Sequence, residues 1–239
     1  MGWRFLLFDL DNTLLDFPAD EEMAFRKLYA WAGFEKVRPY TPEALEHYER
    51  CNRRWWDRFE KGECTKPELF VGRFVDYLAE TGLQGDPQEL HRQFFTNLAA
   101  GGVALAGALE LLERLSPSFK LYVVTNGNAP TAKTRIANSG VGRFIKGYFV
   151  SEAIGVGKPD PRYFQYVFEH IPGFRKEEAV LIGDSLFSDI AGAKTVGLES
   201  IYLPPPWEEA VFPNQADYTV GSFDELEALL AKHAAATDR

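Results

Sequence analysis

Two aspartates, Asp9 and Asp11, stand two residues apart at the end of the apolar run Trp3-Arg4-Phe5-Leu6-Leu7-Phe8. Such a run reads as a buried β-strand, and open parallel sheets bind their ligands beyond the carboxyl ends of their strands. Two carboxylates on one rim repel each other, and a divalent cation between them relieves the repulsion. A strand that ends in a polar turn can also read Asp-x-Asp, so the pair needs company.

Three further apolar runs supply it. Leu121-Tyr122-Val123-Val124 leads into Thr125-Asn126-Gly127: a hydroxyl, an amide and a residue that lets backbone approach a ligand. The strand ending at Val150 is followed by Gly155-Val156-Gly157-Lys158-Pro159-Asp160-Pro161. Ala179-Val180-Leu181-Ile182 runs into Gly183-Asp184-Ser185-Leu186-Phe187-Ser188-Asp189. Each has a plain alternative. Asn126-Gly127 is ordinary turn chemistry, a single lysine is usually solvated, and Asp189 can start the next helix. The Lys158 segment is not a P-loop, because its glycine spacing is wrong and no Ser or Thr follows the lysine. Taken together, the four exits offer carboxylates for a cation and a hydroxyl, an amide and an ammonium for an anion. Those are the groups that phosphate chemistry needs.

Alternating strands and helices position these exits. Helices are predicted at Ala108–Leu115, 130–139, Pro161–His170 and 189–196, interleaved with strands at 121–124, Gly147–Val150, 179–182 and 200–203. The pattern predicts an α/β fold with a Rossmann-like parallel sheet covered on both faces. Residues 18–99 read differently. Ala24, Leu28 and Trp31; Leu45, Tyr48, Trp55 and Phe59; Leu69, Phe74, Tyr77 and Leu78; and Leu90, Phe94, Phe95 and Leu98 all have helical spacing. Pro42, Pro67 and Pro87 lie near helix starts, where a missing amide proton costs little. Residues 1–17 and 100–239 therefore form the predicted core, with 18–99 an inserted helical bundle. Pro204-Pro205-Pro206 reads as a stiff surface loop, and the last six residues as a frayed end.

Composition narrows the partners. With 46% hydrophobic residues among 239, the chain can bury a large core. Its net charge of −9 comes with no basic block, which argues against nucleic acid but not against small phosphorylated molecules near a local cation. Cys51 and Cys64 are the only cysteines, and neither is expected to have a histidine or cysteine at metal-ligand spacing. Two free thiols and no signal or membrane-spanning run predict a cytoplasmic protein, monomeric or weakly dimeric.

In this order, Asp9/Asp11, Thr125/Asn126, Lys158 and Asp184/Asp189 resemble the motifs of the haloacid dehalogenase (HAD) superfamily of phosphohydrolases. The resemblance covers essentially the whole chain, with the helical insertion as a C1-type cap, and no motif position departs from the pattern. It implies Asp9 as nucleophile and Asp11 as general acid/base, with Thr125 and Lys158 holding the phosphoryl group and Asn126 beside them. It further implies Mg²⁺ held by Asp9, the Asp11 carbonyl and Asp184, with Asp189 steadying the metal site or Lys158. Asp11 also separates the chain from the 2-haloacid dehalogenases, which lack a second Asp there. An ordinary carboxylate pKa of about 3.9 would leave Asp9 ionised at neutrality. Asp11 has to carry a proton for the leaving alkoxide, so it is expected to titrate above Asp9.

The cap should choose the leaving group. Cys51-Asn52-Arg53-Arg54-Trp55-Trp56-Asp57-Arg58-Phe59 is rich in arginine and aromatics, and Trp56 could stack on a base or pack the bundle. Asn52, Trp56, Gly62 and Gly72-Arg73-Phe74, with Ser151-Glu152 and Gly155-Val156, are similar to the YjjG-type pyrimidine 5′-nucleotidases. That similarity implies a nucleoside 5′-monophosphate substrate. Alternatives within the fold are sugar-phosphate, phosphoglycolate or N-acylneuraminate-9-phosphate phosphatases and, more remotely, a phosphomutase. A non-catalytic binding module would have no need of all four core groups.

Overall fold

In a computed structural model that describes residues 2–235, the chain divides into two compact units. One runs to Phe17 and resumes at Gly102; the other is Pro18–Gly101. The second crossing lies two residues beyond the boundary expected at 99/100. Ala100 and Gly101 continue the winding of the preceding helix, their amides donating to Asn97 and Leu98 carbonyls.

The first unit holds a six-stranded, all-parallel sheet. Its strands are β1 (Phe5–Phe8), β2 (Lys120–Thr125), β3 (Gly147–Val150), β4 (Ala179–Gly183), β5 (Glu199–Tyr202) and β6 (Tyr218–Thr219), in the order β3-β2-β1-β4-β5-β6. β1 is fully buried on both faces, which explains its unbroken apolar run. Leu6 and Phe8 join one core layer with α5 (Ala108–Leu115), α6 (Ala129–Ser139) and α10 (Phe223–Ala235). Phe5 and Leu7 join the other, with Tyr163, Phe164 and Val167 of α8 (Pro161–His170). The order of connection reverses at β1, between β2 and β4, and a crevice for ligands opens at such a switch point.

Several details differ from the sequence expectation. The segment expected as one helix over 189–196 is a π-helical turn, Leu186–Ala191, followed by α9 (Gly192–Val196). Strand β6, helix α10 and the short α7 (Ser151–Ile154) were not expected. Pro204 and Pro205 are buried rather than on a surface loop. Ala234 and Ala235 extend α10, and the rest of the expected frayed end lies outside the described residues.

The second unit contains α1 (which begins at Phe17 and runs Phe17–Trp31), α2 (Pro42–Glu60), α3 (Lys66–Thr81) and α4 (Pro87–Leu98), and no strand among its described residues. The three prolines sit in first turns, behind N-caps Thr41, Thr65 and Asp86. Thr65 and Glu68 close a capping box on α3. Aromatic rings dominate this core; Phe25 and Tyr48 stack at 4.5 Å between centroids. Within it the Arg73 guanidinium donates to Asn52 Oδ1 at 3.0 Å, and Asn52 Nδ2 donates to Glu21 Oε1 at 3.0 Å. A Cβ on Gly72 would fall 2.2 Å from the Trp55 ring, so only glycine lets α2 and α3 approach this closely. The residues that resemble the nucleotidase caps thus include three with a plain packing role: Asn52, Gly72 and Arg73.

Candidate active site

The exits of β1, β2 and β4 and the loop after β3 supply the site. The Asp9 amide donates to the Ile182 carbonyl at 2.8 Å, extending the β1–β4 ladder by one bond and holding Asp9 at the rim. The chain then folds back tightly. Amides of Leu14 and Leu15 return to the Leu10 carbonyl, the Asn12 amide donates to the Leu15 carbonyl, and Asn12 takes a positive φ of 62°. An asparagine tolerates that left-handed conformation. The turn buries Thr13, whose hydroxyl donates to Asp184 Oδ1 at 3.3 Å.

Lys158 is 3% exposed and is the hub of the cluster. Its ammonium donates to Asp9 Oδ1 at 2.5 Å, to Asp189 Oδ1 at 2.6 Å and to the Val124 carbonyl at 2.8 Å. Three donors meet three acceptors, so the charge is fully partnered. Burial alone would depress the lysine's pKa, but Asp189 and Asp9 outweigh it and hold the ammonium above its ordinary value. Asp189 is itself anchored, accepting from the Ser185 amide at 3.1 Å. A Cβ at Gly183 would lie 2.4 Å from the Asp189 carboxyl carbon, so β4 must end in glycine for Asp189 to reach the lysine.

Asn126 holds the main chain of that lysine. Its Nδ2 donates to the Lys158 carbonyl at 2.8 Å, and its Oδ1 accepts from the Lys158 amide at 2.9 Å. The side chain read as a substrate contact therefore orients Lys158, because a planar amide matches a peptide unit's donor and acceptor. Thr125 is 2% exposed, and its Oγ1 accepts from the Gly127 amide at 3.2 Å.

Electrostatics correct one expectation. Burial pushes the Asp9 carboxyl up to about 7; Lys158 opposes the rise, and Asp189 and Asp11 add to it. In the metal-free site Asp9 is therefore raised above the ordinary carboxylate range that the sequence reading assumed. Asp184 is lifted well above the usual range by burial, Asp9 and Asp189. Carboxylate oxygens of Asp9, Asp184 and Asp189 lie within 4.8 Å of one another, with one lysine among them. This oxygen-rich, under-neutralised cluster suits a hard divalent cation, and Mg²⁺ fits its donor set.

Arg135 was not singled out from sequence. From the second turn of α6 its Nη1 lies 2.7 Å from Asp11 Oδ1, with its side chain 3% exposed. A signal existed: Thr131, Ala132, Arg135, Ile136 and Ser139 share the buried face of α6, so the arginine interrupts an otherwise uncharged stripe. Thr13 was visible only as part of the Asp9–Thr13 phrase.

Trp56 belongs to the other unit, where its ring packs edge-on against Phe59 and Phe70. In the same unit His47, Cys51 and Glu80 bring ligand atoms within 4.8 Å, correcting the view that Cys51 has no histidine at ligand spacing. The Arg54 guanidinium already occupies that cluster, donating to Cys51 Sγ at 3.4 Å and to Glu80. Cys51 and Cys64 are both free thiols. Among the described residues no helix is long and apolar enough to cross a membrane.

Comparison with known proteins gives the family of the chain. A family model described as haloacid dehalogenase-like hydrolase matches residues 3–197. The HAD-hydrolase YfnB of Bacillus subtilis is 37% identical over 228 residues, covering 95% of each chain. Its crystal structure, bound to magnesium, superposes with a TM-score of 0.89 over 96% of this chain and 99% of that one, at 36% identity. The pyrimidine 5′-nucleotidase PynA of Streptococcus pneumoniae is 34% identical over 98% of this chain and 97% of its own. The pyrimidine 5′-nucleotidase YjjG of Escherichia coli is 28% identical over 98% of this chain and 100% of its own.

Proposed function

The chain belongs to the haloacid dehalogenase-like hydrolases, and from that premise we propose that it is a Mg²⁺-dependent phosphatase of pyrimidine nucleoside 5′-monophosphates. The observation that carries the phosphatase reading is the buried Asp9–Lys158–Asp189 chain at the switch point, with Asp184 and Asp11 beside it. The substrate reading rests on full-length likeness to PynA and YjjG.

In this reading the Asp9 carboxylate attacks phosphorus and forms an aspartyl-phosphate. Lys158 neutralises the incoming anion, and the Thr125 hydroxyl donates to a phosphoryl oxygen. Asp11 gives its proton to the departing oxygen, then takes one from the water that hydrolyses the intermediate. Asp189 and Asn126 hold Lys158 in place throughout. Asp9, Asp184 and the Asp11 carbonyl would hold Mg²⁺, which supplies positive charge against the phosphate oxygens. Trp56 is assigned to leaving-group selection, so Trp56→Ala is expected to alter substrate preference more than the rate on a small generic ester.

Phosphate release from a panel of phosphomonoesters, with Mg²⁺ and with chelator, tests this. The expected result is metal-dependent release, highest for dUMP, dTMP and UMP, and reduced at least about a thousandfold in Asp9→Asn. Faster release from sugar or phosphoglycolate esters would keep the mechanism and remove the nucleotide assignment. No release from any ester would leave a binding module.

A further inference from the structure

Arg135 has no role in the mechanism just given, yet it is a buried cation placed on the one carboxylate that must handle protons. Asp11 Oδ1 is sealed from solvent and lies 2.7 Å from Arg135 Nη1, while the Asp11 side chain keeps 28% of its exposure. Oδ2 is the oxygen left open. The Nη1 approach is off the N–H direction and amounts to no directed hydrogen bond, so the guanidinium holds Oδ1 by charge. Arg135 is itself fixed. Its guanidinium lies 5.6 Å over the Phe17 ring. Its helix is capped by Asn128, whose Oδ1 accepts from the Thr131 amide and whose Nδ2 donates to Glu152.

We propose that Arg135 is a positioning residue for Asp11, holding Oδ1 so that Oδ2 is the oxygen that exchanges protons with leaving group and water. The proposal rests on the reading of Asp11 as general acid/base. In the first step an Asp9 oxygen bonds to phosphorus, the bond from phosphorus to the leaving oxygen breaks, and the Oδ2 proton moves to that oxygen. In the second, a water proton returns to Oδ2 as the water oxygen bonds to phosphorus and the Asp9–phosphorus bond breaks. Both transfers need Oδ2 within hydrogen-bond reach of an oxygen on phosphorus. An Asp11 freed from Arg135 would spend most of its time elsewhere.

The readout is leaving-group dependence, because an activated aryl leaving group needs no proton and an alkoxide does. Arg135→Ala is expected to raise the ratio of kcat/KM for p-nitrophenyl phosphate to that for a simple alkyl phosphate by about ten- to a hundredfold. Arg135→Lys, which restores a point charge, should recover part of the loss. In an Asp11→Asn background, Arg135→Ala should change the ratio no further, since the two residues act through one oxygen. Melting curves identify any variant that has lost its fold, in which case Arg135→Lys carries the test. An unchanged ratio in folded Arg135 variants, with both esters slowed equally, would reduce Arg135 to packing. A wild-type ratio in Asp11→Asn alone would remove the acid/base reading of Asp11 and this inference with it. A selective effect in Asp11→Asn without one in the Arg135 variants would remove only the inference.

Discussion

Lys158 shows how one residue sets the charge balance of the site. Its ammonium meets Asp9, Asp189 and a carbonyl, and neutralises less than the three neighbouring carboxylates carry. The shortfall appears as the rise of Asp9 to about 7, caused first by burial. The consequence for stability has a definite sign. Between about pH 4, where the unfolded Asp9 ionises, and about pH 7, the folded state holds a proton that the unfolded state has released. Stability of the metal-free protein should therefore fall as pH rises through that window. Asp9→Asn removes the contribution. In chelator it should melt higher than wild type at pH 8, by an amount worth a few kcal/mol at most, and no higher at pH 4. Added Mg²⁺ should narrow the gap at pH 8 by stabilising only the wild type. Equal melting of the two proteins at pH 8 in chelator would show that Asp9 is not held in a raised state.

At the scale of elements, the helix after each strand keeps the exit residues in register. Helix α6 begins four residues after Thr125 and carries Arg135 in its second turn, so the helix ties the Thr125 end of the site to Asp11. Asn128 caps it, accepting from the Thr131 amide and hydroxyl and donating to Glu152 at 2.9 Å. Glu152, from the short α7, also accepts from the Ala129 amide at 2.8 Å. Asn128→Ala should cost about 1–2 kcal/mol in denaturant unfolding, the upper part of the range for a lost cap. Asn128→Ser should cost less, because its hydroxyl still accepts from the helix amide. A loss below about 0.3 kcal/mol for Asn128→Ala would mean that Glu152 alone suffices as the cap.

For the whole molecule, the two units have separate cores. Among the described residues, both hydrophobic layers of the sheet are built from residues up to Leu15 and from Ala104 onward. The Asp16 amide donates to the Val103 carbonyl at 2.9 Å, so the chain leaves and re-enters the sheet unit at neighbouring points. We therefore propose that residues 18–101 can be replaced by a short glycine-serine linker without unfolding the remainder. The shortened protein should melt cooperatively and still hydrolyse p-nitrophenyl phosphate in Mg²⁺, but lose its preference among nucleotide esters. A non-cooperative melt would show that the sheet unit depends on the inserted helices.

Much of this protein is legible in its sequence because the relevant physics is local. Unbroken apolar runs mark strands buried on both faces, prolines and capping residues mark helix starts, and polar groups at strand exits mark the rim. These features suffice for the α/β class and the inserted helices, and they single out Asp9, Asp11, Thr125, Lys158, Asp184 and Asp189 as candidate site residues. What tertiary structure decided depends on distances across the fold. Only there does Asn126 turn to the main chain of Lys158, Thr13 reach Asp184 and Arg135 meet Asp11 across more than a hundred residues of sequence. The pKa of Asp9 belongs to the same class, because desolvation is a property of everything packed around a carboxyl and not of its neighbours in the chain.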